Sequence, residues 1–217
     1  MNSLLKSEWL ISVGLLVLSV VPVIGGGVRL VELGGGAEIT PANARFFAAP
    51  QPVVLHIVAV TIYCVLGAFQ FVPSLRRRNP GWHRSAGRVL VASGLVAALS
   101  GLWMTQFYAP PPLDVNTMLY AARLAVGTAM AAFLLVAFAA ARRRDIPTHR
   151  AYMIRAYALG IGAGTQVLTH IPYFLIPSLQ VELGRTLCML AGWAINIAVA
   201  EWIIRRQLAG ARRPRAA

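Results

Sequence analysis

Acidic residues are scarce in this 217-residue sequence: seven Asp and Glu stand against 20 Lys and Arg, a formal net charge of +13. Charged residues of both signs together make up only 12%, where soluble domains run at about 25%. That excludes a solvated disordered chain and an ordinary cytosolic enzyme. Cysteine is nearly absent. Cys64 and Cys188 cannot build a disulfide framework or a paired-CxxC metal knuckle. Each lies in an apolar run, where a free cysteine acts as a small hydrophobe. No Gly-x-Ser-x-Gly elbow, HExxH or HxxxH pattern occurs, so nucleophilic and zinc-hydrolase chemistry have no sequence support.

What is abundant is grease. Apolar residues reach 58%, and they come in runs. A bilayer core takes about 20 apolar residues per helix, and six stretches supply them: Trp9–Val28, Val53–Val72, Val89–Phe107, Met118–Ala141, Ala151–His170 and Thr186–Ile204. The expected fold class is therefore an all-α integral membrane protein of six transmembrane helices, with residues 1–217 forming one transmembrane domain. The first span is read as a retained helix rather than a cleaved leader. It is closed by Pro22 and Gly25–Gly27 and not by a clean small-x-small site.

The charges then give the topology. With both termini cytoplasmic, the inner segments collect Lys6, the arginines of 76–88 and 142–155, and those of 205–215. The outer segments balance Arg29, Arg45, Arg123 and Arg185 against Glu32, Glu38, Asp114 and Glu182. All the excess lies on one side, as the positive-inside rule requires of a multi-pass protein in the inner (plasma) membrane. The expected partner of that face is the anionic lipid of the inner leaflet. Nucleic acid is not needed to explain the charge.

Two inner loops repeat each other. Residues 76–84 read RRRNPGWHR and residues 142–150 read RRRDIPTHR, nine columns without a gap. Each joins two spans, so spans two-three and four-five read as tandem helical hairpins forming a four-helix core, with spans one and six outside. The stretch LHIVAVTIYCVLGAFQFVPSLRRRNPGWHRSAGRV at 55–89, together with the later His149-Arg150-Ala151-Tyr152-Met153-Ile154-Arg155, resembles a bacterial family catalogued as domain of unknown function 2306. The resemblance covers about residues 50–172. It implies a small multi-span membrane protein and supplies no activity.

Function has to come from the histidines. There are four, all in or beside the expected core. His56 and His170 fall at the outer ends of spans two and five, His83 and His149 at the inner starts of spans three and five. Two levels of paired histidines between helices is the arrangement of membrane b-type cytochromes, in which an imidazole from each side fills an axial position of the iron. On an unbroken helix His149 and His170 project from one face about 31 Å apart. The leading expectation is a small cytochrome b-like electron-transfer protein holding haem b, with the four histidines as iron ligands. A quinone or another redox carrier would be its partner. Gly67, with Gly160, Gly162 and Gly164, would leave room for the macrocycle, and Tyr63 and Tyr152 would flank it. Arg84, Arg150 or Arg155 would pair with propionates. Met104 is an alternative partner for His170. Asp145 is the carboxylate placed to orient His149, and Glu201 is expected to pair with Arg205. The alternatives are a transporter or channel-like bundle whose polar stripe is a solute or proton path, and a non-catalytic assembly factor. The outer loop 29–52, with a short helix expected over Ala42–Ala49, and the proline-bounded stretch Ile171–Pro177 mark where a small-molecule mouth would sit.

Overall fold

A computed structural model describes residues 2–211. It is all helix, with no strand among the described residues. The elements are α1 (Asn2–Gly34), α2 (Ala44–Ala48), α3 (Pro50–Gln70), α4 (Pro73–Arg78), α5 (Pro80–Phe107), α6 (Thr117–Arg142), α7 (Ile146–Gly160), α8 (Gly162–Thr169), α9 (Ile171–Leu175) and α10 (Glu182–Ala211). Short 3₁₀ turns at Pro112–Asp114 and Pro177–Leu179 complete the loops. Five helices, α1, α3, α5, α6 and α10, are long and apolar enough to cross a membrane. The fifth expected span is not one helix. It is α7 and α8 in series, 24 residues from Ile146 to Thr169, interrupted at Ile161 with φ −81° and ψ 3°. Glycines at 160, 162 and 164 lower the helix preference there. They also admit foreign groups: the Trp193 indole presses onto Gly162, and the Leu18 backbone onto Gly164.

Helix starts follow the local chemistry. The Asn116 side chain caps α6 by accepting from the Met118 and Leu119 amides at 2.8 and 3.4 Å. The two repeated loops superpose in role from their cap onward. Asn79 and Asp145 are the N-caps of α5 and α7, and the fourth residue after each is the repeated histidine, whose amide bonds back to the cap carbonyl at 3.1 and 3.0 Å. Before the cap the loops diverge. The first forms α4, while the second turns through Arg144 in the left-handed region at φ 61°.

Packing follows chain order: α3 lies on α5, α5 on α6, and α6 on α7, as short connections dictate. Helix α1 covers α3 and α8, and α10 covers α7 and α8. The fully assembled core is drawn from the two hairpins: Tyr63 and Cys64, Leu90 and Ala98, Met130 and Leu134, then Ala156, Tyr157, Leu159 and Ile161. Lipid gives helices no hydrophobic drive to associate, so close packing through small residues and buried hydrogen bonds must do it. Tyr63, 0% exposed, lies between Gly94 of α5 and Gly160 of α7, where a Cβ would stand 2.7 and 2.6 Å from its ring. Tyr157 covers Gly67 and donates its hydroxyl to the Cys64 carbonyl at 2.7 Å. The large apolar side chains left outside, among them Leu10, Val17, Ile24 and Val31 of α1 and Leu187, Val199 and Trp202 of α10, face lipid. On a soluble protein they would make an aggregating patch.

These two tyrosines are expected to behave oppositely. The Tyr63 hydroxyl is buried without a partner, so Tyr63→Phe should leave thermal stability in detergent unchanged or raise it. Tyr157→Phe removes a made hydrogen bond and should cost about 1 kcal/mol. Equal effects would contradict this packing.

Candidate functional site

A cavity of about 420 Å³ opens between the helices at the end opposite the arginine clusters. Organic ligands occupy cavities of about 300–1,000 Å³. Every long helix contributes to its wall. Helix α3 supplies His56 and Thr61, α5 Gly101, Met104 and Thr105, and α6 Arg123 and Met130. Ala163 and Gln166 come from α8, Met189 and Trp193 from α10, Ser19 and Gly26 from α1, and Arg45 and Phe46 from α2. The walls are mainly apolar, with polar groups at His56, Thr61, Thr105, Gln166 and Ser19 and at the charged cluster of Arg45, Asp114 and Arg123.

Helix α3 carries His56 so that its Nδ1 meets α5. It lies 2.9 Å from the Ala97 carbonyl and 3.1 Å from Ser100 Oγ. The Ser100 hydroxyl donates to the Val96 carbonyl at 2.6 Å. A carbonyl only accepts, so Nδ1 carries a proton and donates it to the Ala97 carbonyl.

The mouth is built of charge. Asp114, with 4% of its side chain exposed, receives Arg123 Nη2 at 2.8 Å on one oxygen and Arg185 Nε at 2.5 Å on the other. Burial alone would push this carboxyl up. The bonds from Arg185 and Arg123 outweigh it and hold Asp114 below its ordinary value. Arg45 stacks on Phe46 with Cζ 4.4 Å from the ring centre. It takes part in none of the ion pairs among the described residues. Burial pulls its guanidinium down and the Asp114 charge partly restores it. Tyr108 pins α2 in place by donating to the Ala49 carbonyl at 2.5 Å and meeting Phe46 edge-on at 5.5 Å.

The histidine pairs fare differently at the two ends. His56 is on the cavity wall. His170 is not: it caps α8, bonds the Gln166 carbonyl through Nδ1 at 2.7 Å and packs on Tyr173 and Phe174. Ile161 interrupts the helix and α8 ends at Thr169, so the unbroken helix on which the shared face rested is not present. Met104, the alternative partner, does line the cavity. The glycine slot expected for a macrocycle is filled by the protein's own groups, Tyr157 over Gly67, Tyr63 over Gly160, Trp193 over Gly162 and the α1 backbone over Gly164. Neither Tyr63 nor Gly67 reaches the cavity wall. A bis-histidine haem at this end therefore does not fit the residues present.

At the arginine-rich end, His149 Nδ1 bonds the Ala137 carbonyl of α6 at 2.9 Å. The Asp145 carboxylate serves the Thr148 amide at 3.2 Å and not this ring. His83 Nδ1 is buried without a partner. His149, Arg84 and Arg76 act electrostatically on His83, and Arg76 also acts on Arg150, so the fold gathers both repeats here. Arg155 is not part of this group. It grips Glu201 of α10 with Nε and Nη2 at 2.5 and 3.0 Å and lies 5.0 Å over Tyr152, which also packs on Phe133. Glu201 thus pairs across helices with Arg155, a two-pronged match that Arg205 on the same helix face does not make. No group of three or more His, Cys, Asp or Glu side chains that could hold a metal occurs among the described residues. Sequence reasoning missed Asp114, Arg45 and Arg185 as site residues. Their one signal was the exact charge balance of the outer loops.

A bundle that shows lipid its large apolar side chains and pairs its polar ones inside is an integral membrane protein. The chain belongs to the DUF2306 predicted membrane protein family, whose model matches residues 53–204. That match runs from α3 into α10 and leaves α1 outside. The chain matches no curated protein and no solved structure.

Proposed function

We propose that the protein is a membrane-embedded binder of transporter or carrier type that takes an amphipathic small molecule into the 420 Å³ cavity. The positive-inside rule puts the mouth on the outer face of the plasma membrane. The observation that carries this reading is the cavity itself. All the long helices wall it, and its largely apolar lining carries a few polar groups, among them His56, Thr61 and Gln166, with Arg45, Asp114 and Arg123. Native mass spectrometry of protein released from mild detergent tests it. The wild type should retain an organic adduct. Ala163→Phe fills the cavity from an exposed wall position without disturbing the core, and should lose it. An empty wild type, or an adduct kept by Ala163→Phe, would overturn the reading.

Electron transfer through haem b is the second reading, and it is favoured only at the arginine-rich end. There His83 Nδ1 is buried without a partner, and Arg76, His149 and Arg84 act on the ring electrostatically. His83 and His149 would hold the iron, Arg84 and Arg150 would neutralise propionates, and a quinone would exchange electrons with the group. Anionic inner-leaflet lipid is the other natural occupant of that cationic surface. An optical spectrum before and after dithionite separates them. A Soret band lost in His83→Ala and His149→Ala supports haem, and a featureless spectrum from haem-replete cells removes it.

A further inference from the structure

The charges at the mouth do not close. Both carboxylate oxygens of Asp114 are occupied, one by Arg123 and one by Arg185. Arg29 is committed to Glu32. Arg45 stands on the same cavity wall with no carboxylate of its own among the described residues, its guanidinium laid over the Phe46 ring. Half-buried charges in proteins are ordinarily paired, and an arginine held flat by an aromatic ring offers its fork to a planar anion. Below it the wall turns apolar through Val60, Met104, Val126, Met130 and Leu159.

We propose that the missing anion is the head of the ligand: the cavity takes a single-chain amphiphile with a fatty-acid-like carboxylate, whose head pairs with Arg45 while its chain lies along the apolar wall. The Asp114 carboxylate engages both Arg123 and Arg185, one charge against two, which leaves Arg45 as the guanidinium on this wall with no carboxylate contact among the described residues. Selectivity then comes from charge at the rim. A neutral alcohol of the same length gains the apolar contact and forgoes the ion pair. This rests on the cavity being a ligand site.

The test is equilibrium binding of radiolabelled dodecanoate and dodecanol to protein in phosphatidylcholine nanodiscs at pH 8. Ala163→Phe serves to subtract partition into lipid. The expected result is dodecanoate bound at least about tenfold tighter than dodecanol by the wild type, from the charge-assisted pair. Arg45→Gln should bring dodecanoate down to the dodecanol level and leave dodecanol unchanged, which also reports that the cavity is intact. Arg45→Lys should restore part of the preference. Equal wild-type affinities for the two probes, both abolished by Ala163→Phe, would overturn the carboxylate inference and keep the cavity reading. Binding of neither probe, or binding that Ala163→Phe does not touch, would overturn both.

Discussion

Asp114→Asn is expected to be the most damaging single charge change in the molecule, costing about 3 kcal/mol of stability. Breaking a buried ion pair by removing one partner costs about 3–5 kcal/mol, because the other charge is left uncompensated. Here one carboxylate, 4% exposed, serves two guanidinium groups with 26% and 32% of their side chains exposed. Water can partly solvate those arginines, which puts the cost at the lower end. Arg45 adds to it, since Asp114 is also the anion whose field offsets its neighbours Arg29 and Arg123. Thermal unfolding in detergent reads the effect. Arg123→Met added to Asp114→Asn should recover part of the loss, the non-additivity expected of groups in one network. The same network fixes a pH dependence. The folded carboxyl lies below its ordinary 3.8. Its contribution is therefore fully present above that value and lost as pH falls through the folded one. Wild-type stability should fall on acidification below about pH 4 by an increment that Asp114→Asn lacks. A loss under about 1 kcal/mol would mean that the clamp is a solvated surface pair.

The architecture was legible because it rests on signals that sum over many residues. The apolar runs announced the spans, and the four-helix core appears as the two hairpins foretold by RRRNPGWHR and RRRDIPTHR. The short outer helix expected within Ala42–Ala49 is α2, Ala44–Ala48. The site was legible only where one residue decided the matter. His56 could be picked out because a histidine inside a span must turn inward. His170 does not line the cavity that His56 lines; its expected direction assumed an unbroken helix over 21 residues, and the helix is interrupted at Ile161. The glycines at 67, 160, 162 and 164 were expected to leave room for a macrocycle, and in the structure they admit the protein's own groups. What came close could not be read, because it is supplied by other helices, α1, α3, α7 and α10. The Asp114 clamp was invisible for the same reason: its arginines lie 9 and 71 residues away in sequence, and no local pattern links them.

Gly164→Ala should lower the melting temperature by about 5 °C, and Gly164→Leu should detach α1. A Cβ at 164 would meet the carbonyl oxygen of Leu18 at less than contact distance, and the Leu18 carbonyl carbon at 2.9 Å. The obstacle is backbone, so no rotamer can yield, and the helices must separate. Overpacking of this kind costs about 1–3 kcal/mol, and in a chain of this size each kcal/mol is worth about 2–4 °C. Helix α1 is also held along α3, where Gly26 lies against Ile57, while Leu15 and Leu18 pack on the core. The Ser12 hydroxyl donates to the Ala68 carbonyl at 2.7 Å, Glu8 accepts from the Ser74 amide and Arg77 at 3.0 Å each, and Trp9 packs on Phe69. Gly27 of α1 is the control. A Cβ there meets nothing within 4 Å, so Gly27→Ala should be neutral or stabilising through helix preference alone. The consequence reaches the cavity, because Ser19, Pro22 and Gly26 of α1 form one of its walls. Gly164→Leu should thus lose the bound small molecule while the α3–α7 core stays helical by circular dichroism. If Gly164→Ala and Gly27→Ala melt alike, α1 is not seated by this contact, and the cavity wall that it provides has to be drawn differently.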